Sequence, residues 1–280
     1  ELGKDIGLEI AEPGEFSLRA YLNNKIDLAQ AEAIADLIGA QSEAAVRGAA
    51  RSLQGNFSDD VNDLVEEITQ LRILVESTLD FPEEEIEFLE NAHARERLSA
   101  VKTKLQTLQN GAKQGKILRD GIQLVLVGAP NVGKSSLLNT LAGEEVAIVT
   151  AIAGTTRDRI KESIQIEGVP MHVIDTAGLR QTSDEVEARG IERTWEAIHS
   201  ADLVIFLSAP NVESEDDGLK KRVLEAVPPK CAILEVINKA DLLGGGVNSA
   251  SDEVIAISAK TGQGVDALKR EILKRVGWGG

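Results

Sequence analysis

Cysteine, aromatic residues and basic charge are all scarce in this chain of 280 residues. A single cysteine, Cys231, excludes an internal disulfide framework and is typical of a reducing compartment, so we expect a cytoplasmic protein. Aromatic residues make up 3% of the chain, too few for a platform that stacks single-stranded nucleic acid. The formal net charge of −16 argues against a surface that neutralises phosphates broadly, although it is compatible with one local basic pocket.

Long apolar runs and grouped histidines are missing as well. No run approaches the roughly 18 apolar residues of a membrane-spanning helix, so we expect no membrane contact. The three histidines are scattered and indicate no zinc site. Because the chain starts at Glu1 rather than at Met, we expect neither a signal peptide nor the native N-terminus. The length itself is typical of about two domains.

Hydrophobic periodicity divides the chain near residue 120. Before that point, Asp27 and Gln30 form a capping pair that starts Ala-rich helical sequence as far as residue 55. Apolar spacings of three and four predict further helices over about 58–79 and 91–108. Residues 59–97 contain thirteen acidic and three basic side chains, which favours a solvated helix face over an acidic docking surface. Residues 110–115 predict a break.

After residue 120, short apolar runs alternate with helical sequence. The runs predict strands over 122–127, 169–174, 203–207, 232–237 and 254–257. Helices are predicted over 134–142, 187–198, 219–227 and 265–276. This alternation predicts an α/β domain with a mostly parallel sheet and helices on both faces, whose ligands bind at the carboxyl ends of the strands.

A GxxxxGKS loop runs from Gly128 to Ser135, directly after the first predicted strand. Its glycines allow backbone N–H groups to point at phosphate oxygens, Lys134 is suited to the β- and γ-phosphates, and Ser135 is suited to Mg²⁺. A chance match somewhere in such a chain has a probability of about 0.02. We therefore predict a nucleotide site that includes Asn131, Val132, Gly133, Lys134, Ser135 and Ser136.

Three more motifs follow predicted strands in the same half. In Asp175-Thr176-Ala177-Gly178, the carboxylate is suited to hold Mg²⁺ through water and the glycine N–H to contact the γ-phosphate. In Asn238-Lys239-Ala240-Asp241, the Asp241 carboxylate can accept two hydrogen bonds from guanine that adenine cannot supply. Ser258-Ala259-Lys260 is expected to close over the base. The predicted base is guanine.

In this order, the four motifs resemble the G domain of translation-factor-class GTPases. Asn131 in the phosphate loop, the run from Gly154 to Asp158 (GTTRD) and the run DTAGLRxxxDxxExxGIERxW from Asp175 to Trp195 resemble the MnmE (TrmE) family of tRNA-modification GTPases. The N-terminal sequence Glu12-Pro-Gly-Glu-Phe-Ser-Leu-Arg-Ala20, with the LNNKIDL and QAEA sequences after it, resembles the same family. The likeness extends over nearly the whole chain.

This resemblance implies a P-loop GTPase domain joined to an α-helical domain. Residues 1–20 correspond to the tail of a folate-binding domain, 21–118 to the first segment of the helical domain, and 119–276 to the G domain. We expect this chain to be a fragment that lacks most of the folate domain, the second helical segment and a C-terminal Cys-x-Gly-Lys motif. The tetrahydrofolate derivative is then expected only in the full-length protein.

The resemblance also implies catalytic roles, because Leu179 stands where other GTPases place a water-orienting glutamine. The family assigns that role to the acid matching Glu187, with Arg180 as a second catalytic candidate and Asp184 nearby. Thr156 is implied as a switch threonine on Mg²⁺. Potassium is implied in place of an arginine finger, with Asn131, Thr150, Ile152 and Thr155 as its ligands.

The function implied is a potassium-activated GTPase that hydrolyses GTP to GDP and phosphate. Its cycle would support modification of the wobble uridine of tRNA (U34, 5-carboxymethylaminomethyl type). The implied partners are tRNA, the FAD-containing protein MnmG and a second copy of the chain whose G domain pairs in the activated state. Two alternatives stay open: a ribosome-assembly GTPase related to Der, which the single phosphate loop disfavours, and a nucleotide-dependent interaction module with negligible catalysis.

Overall fold

The computed structural model describes residues 10–80, 93–143, 161–175, 195–196, 198–210, 217–243 and 254–279. The chain divides into two compact units, residues 1–119 and 120–280, which are described one after the other.

Helices form the described part of the first unit. They are α1 (Glu15–Leu22), α2 (Leu28–Gly39), α3 (Glu43–Leu53), α4 (Asn56–Asp80) and α5 (Ala94–Asp120). Successive helices pack on one another from α1 to α4. Small side chains bring these helices close together, since Ala33 on α2 and Ala45 and Ala49 on α3 are buried. The prediction of a helical N-terminal half is confirmed.

The predicted capping pair starts α2. The Gln30 N–H donates to Asp27 Oδ1 over 2.8 Å, and the Asp27 N–H donates to Gln30 Oε1 over 3.0 Å. Two backbone N–H groups that have no partner within the helix are thus each satisfied by the side chain of the other residue. The helical sequence is not continuous to residue 55, however. The backbone is extended at Ala40, and the Ser42 hydroxyl then caps α3 by accepting from the Ala45 N–H.

The predicted break at residues 110–115 is wrong, because α5 continues through it. Neither Gly111 nor Gly115 adopts a positive φ. A glycine inside a helix costs about 1 kcal/mol relative to alanine, which a helix of 27 residues tolerates when its neighbours are good helix formers. Lys113, Gln114 and Lys116 are such residues.

In the second unit, the described residues form a six-stranded sheet. Its strands are β1 (Ile122–Gly128), β2 (Lys161–Ile166), β3 (Val169–Asp175), β4 (Leu203–Ser208), β5 (Ala232–Ile237) and β6 (Val254–Ala256). They lie in the order β2-β3-β1-β4-β5-β6, and every pair except β2 with β3 is parallel. The helices of this unit with full bounds are α6 (Lys134–Ala142), α7 (Asp217–Ala226) and α8 (Val265–Arg275). The predicted α/β class and mostly parallel sheet are confirmed.

Strand β2 was not predicted, because it contains no continuous apolar run. Its signal is an alternation in which Ile164 and Ile166 are buried and the residues between them are polar. The turn to β3 is made by Glu167 and Gly168, both with positive φ, as a tight two-residue hairpin requires.

The centre of the sheet is fully apolar. Leu124, Val125 and Leu126 of β1 are completely buried, as expected for a strand covered on both faces. Helix α7 packs on this sheet through Val223. Within the described residues, no helix is long and apolar enough to span a membrane.

Candidate nucleotide-binding site

The sequence motifs follow strands β1, β3, β5 and β6. Because the four strands are parallel, their carboxyl ends lie at one edge of the sheet. Gly128 ends β1 and Asp175 ends β3, while Asn238 comes directly after β5 and Ser258 lies two residues after β6. The fold therefore brings sequence-distant motifs to the position where open α/β sheets bind their ligands.

The phosphate loop turns between β1 and α6. Asn131 has a φ of 63° and Gly133 a φ of 96°, and α6 begins at the next residue, Lys134. The Lys134 ammonium group donates to the carbonyl oxygens of Gly128 (2.6 Å) and Ala129 (3.2 Å). The loop thus holds a positive charge beside the N-terminus of a helix, an arrangement suited to an anion.

Two glycines of this loop are required by packing. A Cβ atom at Gly128 would lie 2.3 Å from the carbonyl oxygen of Leu207 on the neighbouring strand β4. A Cβ atom at Gly133 would lie 2.4 Å from the Asn238 side-chain nitrogen. The loop therefore lies close against strand β4 at Gly128 and against Asn238, which follows β5, at Gly133, and a side chain at either glycine would prevent that approach.

Asn238 joins the phosphate loop to the Ser258-Ala259-Lys260 loop. Its side chain, 2% exposed, donates from Nδ2 to the Val132 carbonyl oxygen over 2.8 Å. Its Oδ1 accepts from the Ala259 N–H over 2.9 Å. A buried amide that satisfies both loops fixes the spacing between them, since leaving either bond unmade would cost about 1–3 kcal/mol.

The remaining residues of the two guanine motifs are oriented by further bonds. The Lys239 ammonium donates to the Asn131 carbonyl oxygen over 2.5 Å. The buried Ser258 hydroxyl donates to Asp241 Oδ1 over 2.6 Å, while the Asp241 side chain as a whole stays exposed. Ser258 therefore fixes the position of one carboxylate oxygen of Asp241. Because the carboxylate group is rigid, this also limits the directions in which the other oxygen can point. Lys260 is exposed at the end of the same loop.

Ser135 is the predicted Mg²⁺ ligand whose side chain the structure describes. Among the described residues there is no group of three His, Cys, Asp or Glu side chains that could hold a metal. Ser135 lies exposed in the first turn of α6, as does Ser136. One hydroxyl beside a phosphate loop fits Mg²⁺, which takes few protein ligands and completes its shell with phosphate oxygens and water.

Several predicted site residues lie outside the described residues. They are Thr150, Ile152, Thr155, Thr156, Thr176, Ala177, Gly178, Arg180 and Glu187. For Asp175 the structure describes the backbone at the end of β3. Asn131 is therefore the predicted potassium ligand whose backbone position is described, and the catalytic and switch assignments stay predictions.

Sequence reasoning missed Thr140, which lies on α6 two turns after the phosphate loop. Its hydroxyl lies 2.8 Å from the Ala259 carbonyl oxygen. Nothing in the local sequence marks this residue, since the bond joins positions 119 residues apart. Only a prediction of how α6 packs against the loop after β6 would have found it.

Cys231 is a packing residue immediately before β5. Its side chain packs, partly buried, against the cluster that contains Val204 and Val223. Burial and the nearby Asp202 carboxylate raise the pKa of the Cys231 thiol to about 11. The thiol is therefore protonated at neutral pH and is a poor nucleophile.

The geometry defines a class: a P-loop nucleotide-binding α/β domain that carries guanine-type recognition motifs and follows a helical unit in the chain. The family model described as the MnmE helical domain matches residues 28–279. The chain belongs to the MnmE family.

Two curated relatives carry the name of the matched family, and a solved structure of another protein is reported beside them. A protein of Polynucleobacter asymbioticus, the tRNA modification GTPase MnmE, is 78% identical over 100% of this chain and 62% of its own length. The protein of the same name from Cupriavidus metallidurans is 53% identical over 99% of this chain and 63% of its own length. A crystal structure of Era from Aquifex aeolicus is 29% identical over 55% of this chain and 56% of that chain, with a TM-score of 0.41. The chain thus spans less than two thirds of the curated relatives' length.

Proposed function

We propose that this chain binds guanine nucleotides and hydrolyses GTP to GDP and phosphate. The observation that carries the proposal is the bridge made by Asn238, which holds the phosphate loop and the guanine-motif loop at one spacing. A nucleotide has to contact both loops at once, with its phosphates at one and its base at the other. Membership of a family whose relatives are named GTPases supports the same conclusion.

The residues divide the binding of the nucleotide between them. Lys134 and the backbone N–H groups of the phosphate loop hold the β- and γ-phosphates, so the Lys134 ammonium exchanges its carbonyl partners for phosphate oxygens. Asp241 accepts from the guanine base with the carboxylate oxygen that Ser258 leaves available. Ser135 and Thr156 are the protein ligands proposed for Mg²⁺, which would neutralise charge on the phosphates.

The first test is binding. Isothermal titration with GDP, GTP and ADP is expected to give a saturable signal for the two guanine nucleotides and none for ADP at the same concentrations. Adenine lacks the N1–H and the 2-amino group that guanine presents side by side to a carboxylate such as Asp241, and the penalty for an unpaired carboxylate is large. Equal affinity for ADP and GDP would contradict the guanine assignment, and no binding of either would overturn the proposal as a whole.

For hydrolysis, we propose that Glu187 orients the attacking water. Glu187→Ala is then expected to lower the single-turnover rate by about 10²–10⁴-fold, with GDP affinity nearly intact, because orienting water makes no contribution to nucleotide binding. The matched variant is Arg180→Ala, the second catalytic candidate. A normal rate in the Glu187 variant together with a large loss in the Arg180 variant would transfer the role to Arg180.

We further propose that potassium activates this hydrolysis and that Asn131 is one of its ligands. The measurement is the single-turnover rate in potassium and in sodium at constant ionic strength. Potassium is expected to accelerate the reaction and sodium to leave it slow, and Asn131→Ala should remove this difference while GDP affinity changes by a few-fold at most. Equal rates in the two salts would contradict a potassium site.

The wider role that we propose comes from the relatives. Their printed name, tRNA modification GTPase, supports a part in tRNA modification, and the finer form of the proposal is modification of U34 together with MnmG. It includes a homodimer in which G domains pair in the activated state. Sedimentation with GDP and with a transition-state mimic of GTP tests the pairing, which should occur with the mimic in potassium.

A further inference from the structure

The hydroxyl of Thr140 lies between two carbonyl groups that belong to different parts of the nucleotide site. It is 2.8 Å from the Ser136 carbonyl oxygen, one turn earlier in α6, and 2.8 Å from the Ala259 carbonyl oxygen. The first contact is the usual bond of a helical threonine to the residue four positions before it. The second contact shares the single hydroxyl proton with the first, and it links α6, which begins in the phosphate loop, to the loop after β6.

The loop that Thr140 reaches is the one that orients Asp241. Ser258 donates to Asp241 Oδ1, and the next residue, Ala259, offers its carbonyl oxygen to Thr140. Both polar backbone atoms of buried Ala259 are thereby held, the N–H by Asn238 and the carbonyl by Thr140. Bonds inside the loop, such as Gly262 N–H to the Ser258 carbonyl, maintain its shape without attaching it to α6.

We infer that Thr140 is a positioning residue for guanine recognition. It holds the Ala259 backbone, and through it the Ser258 hydroxyl, so that the Asp241 carboxylate faces the base when nucleotide arrives. This inference rests on the proposed binding of guanine nucleotides, and it adds a residue that none of the sequence motifs contains.

The energetic consequence follows from loop populations. Without the hydroxyl, the buried Ala259 carbonyl loses the donor that Thr140 supplied. Conformations in which the loop moves and exposes this carbonyl to water therefore become more populated. The apparent affinity of a ligand falls by the fraction of protein in the competent conformation. If about one tenth of the protein retains the competent loop, GDP binds about tenfold more weakly.

The test compares Thr140→Val with Thr140→Ser in the full chain. Valine preserves the shape of the side chain and removes the hydroxyl, so we expect the Kd for GDP to rise about tenfold. Serine keeps the hydroxyl, so its Kd should stay within about twofold of the original value. The matched control is Thr69→Val on α4, whose hydroxyl bonds the Val65 carbonyl inside its own helix over 2.8 Å. This control should leave GDP binding unchanged.

Inosine diphosphate distinguishes positioning from a general loss of structure. It lacks the exocyclic amine that Asp241 accepts from, so its binding depends less on the orientation of that carboxylate. In Thr140→Val, the affinity for inosine diphosphate should fall less than that for GDP, so that the preference for GDP shrinks by about threefold. Equal losses for both nucleotides would show a merely structural role and overturn the inference.

The remaining outcomes are also decisive. Unchanged GDP affinity in Thr140→Val, or equal weakening in the valine and serine variants, would overturn the inference alone. Failure of the original chain to bind GDP would overturn the proposed function and this inference together. Should the valine variant not fold by circular dichroism, Thr140→Ala removes the same hydroxyl without adding a branched methyl, and unchanged GDP affinity in that variant would equally overturn the inference.

Discussion

Asp241 presents one carboxylate oxygen to the Ser258 hydroxyl, and this contact predicts the result of changing its chemistry. In Asp241→Asn, the amide oxygen can continue to accept from Ser258, which turns the amide nitrogen toward the base. A donor then stands where an acceptor stood, so GDP should bind at least tenfold more weakly and xanthosine diphosphate more strongly.

Competition between the two nucleotides for the variant measures this exchange of specificity. Asp266→Asn, on the first turn of α8, is the matched control because it makes the same chemical change at a carboxylate that is not among the predicted site residues. It should leave the preference for GDP as it is. An unchanged ratio of GDP to xanthosine diphosphate affinity in Asp241→Asn would mean that another group reads the base.

The predictability of the site from sequence also depends on individual residues. Gly128, Gly133 and Lys134 could be predicted because their spacing is local and their chemistry is specific to phosphate. The two hydrogen bonds that Asn238 makes, to Val132 and to Ala259, could not be predicted, since they depend on how two loops approach each other in space. Thr140 was missed for the same reason.

At the scale of the element, the capping box of α2 is expected to make stability depend on pH. A hydrogen bond from the Ser58 side chain, followed by that from the Gln30 N–H, lowers the pKa of Asp27. The folded pKa of Asp27 lies below the unfolded value of about 3.9. The stabilisation that the ionised Asp27 side chain gives to the folded state is therefore fully present above the unfolded pKa, and it is lost as the pH falls through the folded pKa.

Asp27→Asn keeps a capping side chain and removes this titration. We expect the variant to unfold more easily than the original chain at pH 7 and the difference to shrink as the pH falls below about 4 toward the folded pKa, measured by urea unfolding followed by circular dichroism. Glu32→Gln, which changes an exposed carboxylate on the same helix, should show no such convergence. A difference that does not shrink at all between pH 7 and about pH 3 would contradict the assigned pKa shift.

The elements differed in how well the sequence predicted them. Buried parallel strands such as β1 and β4 were predicted because most residues on both faces are buried and apolar, so the signal is a nearly continuous run. The edge strand β2 was not, because only one of its faces is buried and Ile164 and Ile166 alternate with polar residues. The prediction of a break at Gly111 and Gly115 was wrong because the cost of about 1 kcal/mol per glycine is small compared with what the other residues of a long helix contribute to its stability.

At the scale of the whole molecule, the division into two compact units predicts two unfolding transitions. The proposed nucleotide site lies wholly within residues 120–280. GDP at 100 times its Kd should stabilise that unit by about 2.7 kcal/mol and raise its Tm by about 5–10 °C. The transition of the helical unit should not move.

Differential scanning calorimetry with and without GDP checks this expectation, and ADP at the same concentration is the control. One transition that shifts as a whole would show that the two units unfold together. Two transitions that both shift would show that the bound nucleotide also stabilises the helical unit.

The central position of β1 has a consequence for how the chain is synthesised. Val125 pairs with Ile174 and Val204, which are made about 50 and about 80 residues later. At about 5–20 residues per second, the apolar strand that precedes the phosphate loop waits roughly 3–10 s for its first partner. Nascent chains stalled before residue 169 should therefore be cleaved by protease within residues 122–128, whereas chains stalled beyond residue 240 should resist. Aggregation during synthesis is thus expected to begin at this strand, whose central residues are completely buried in the finished protein.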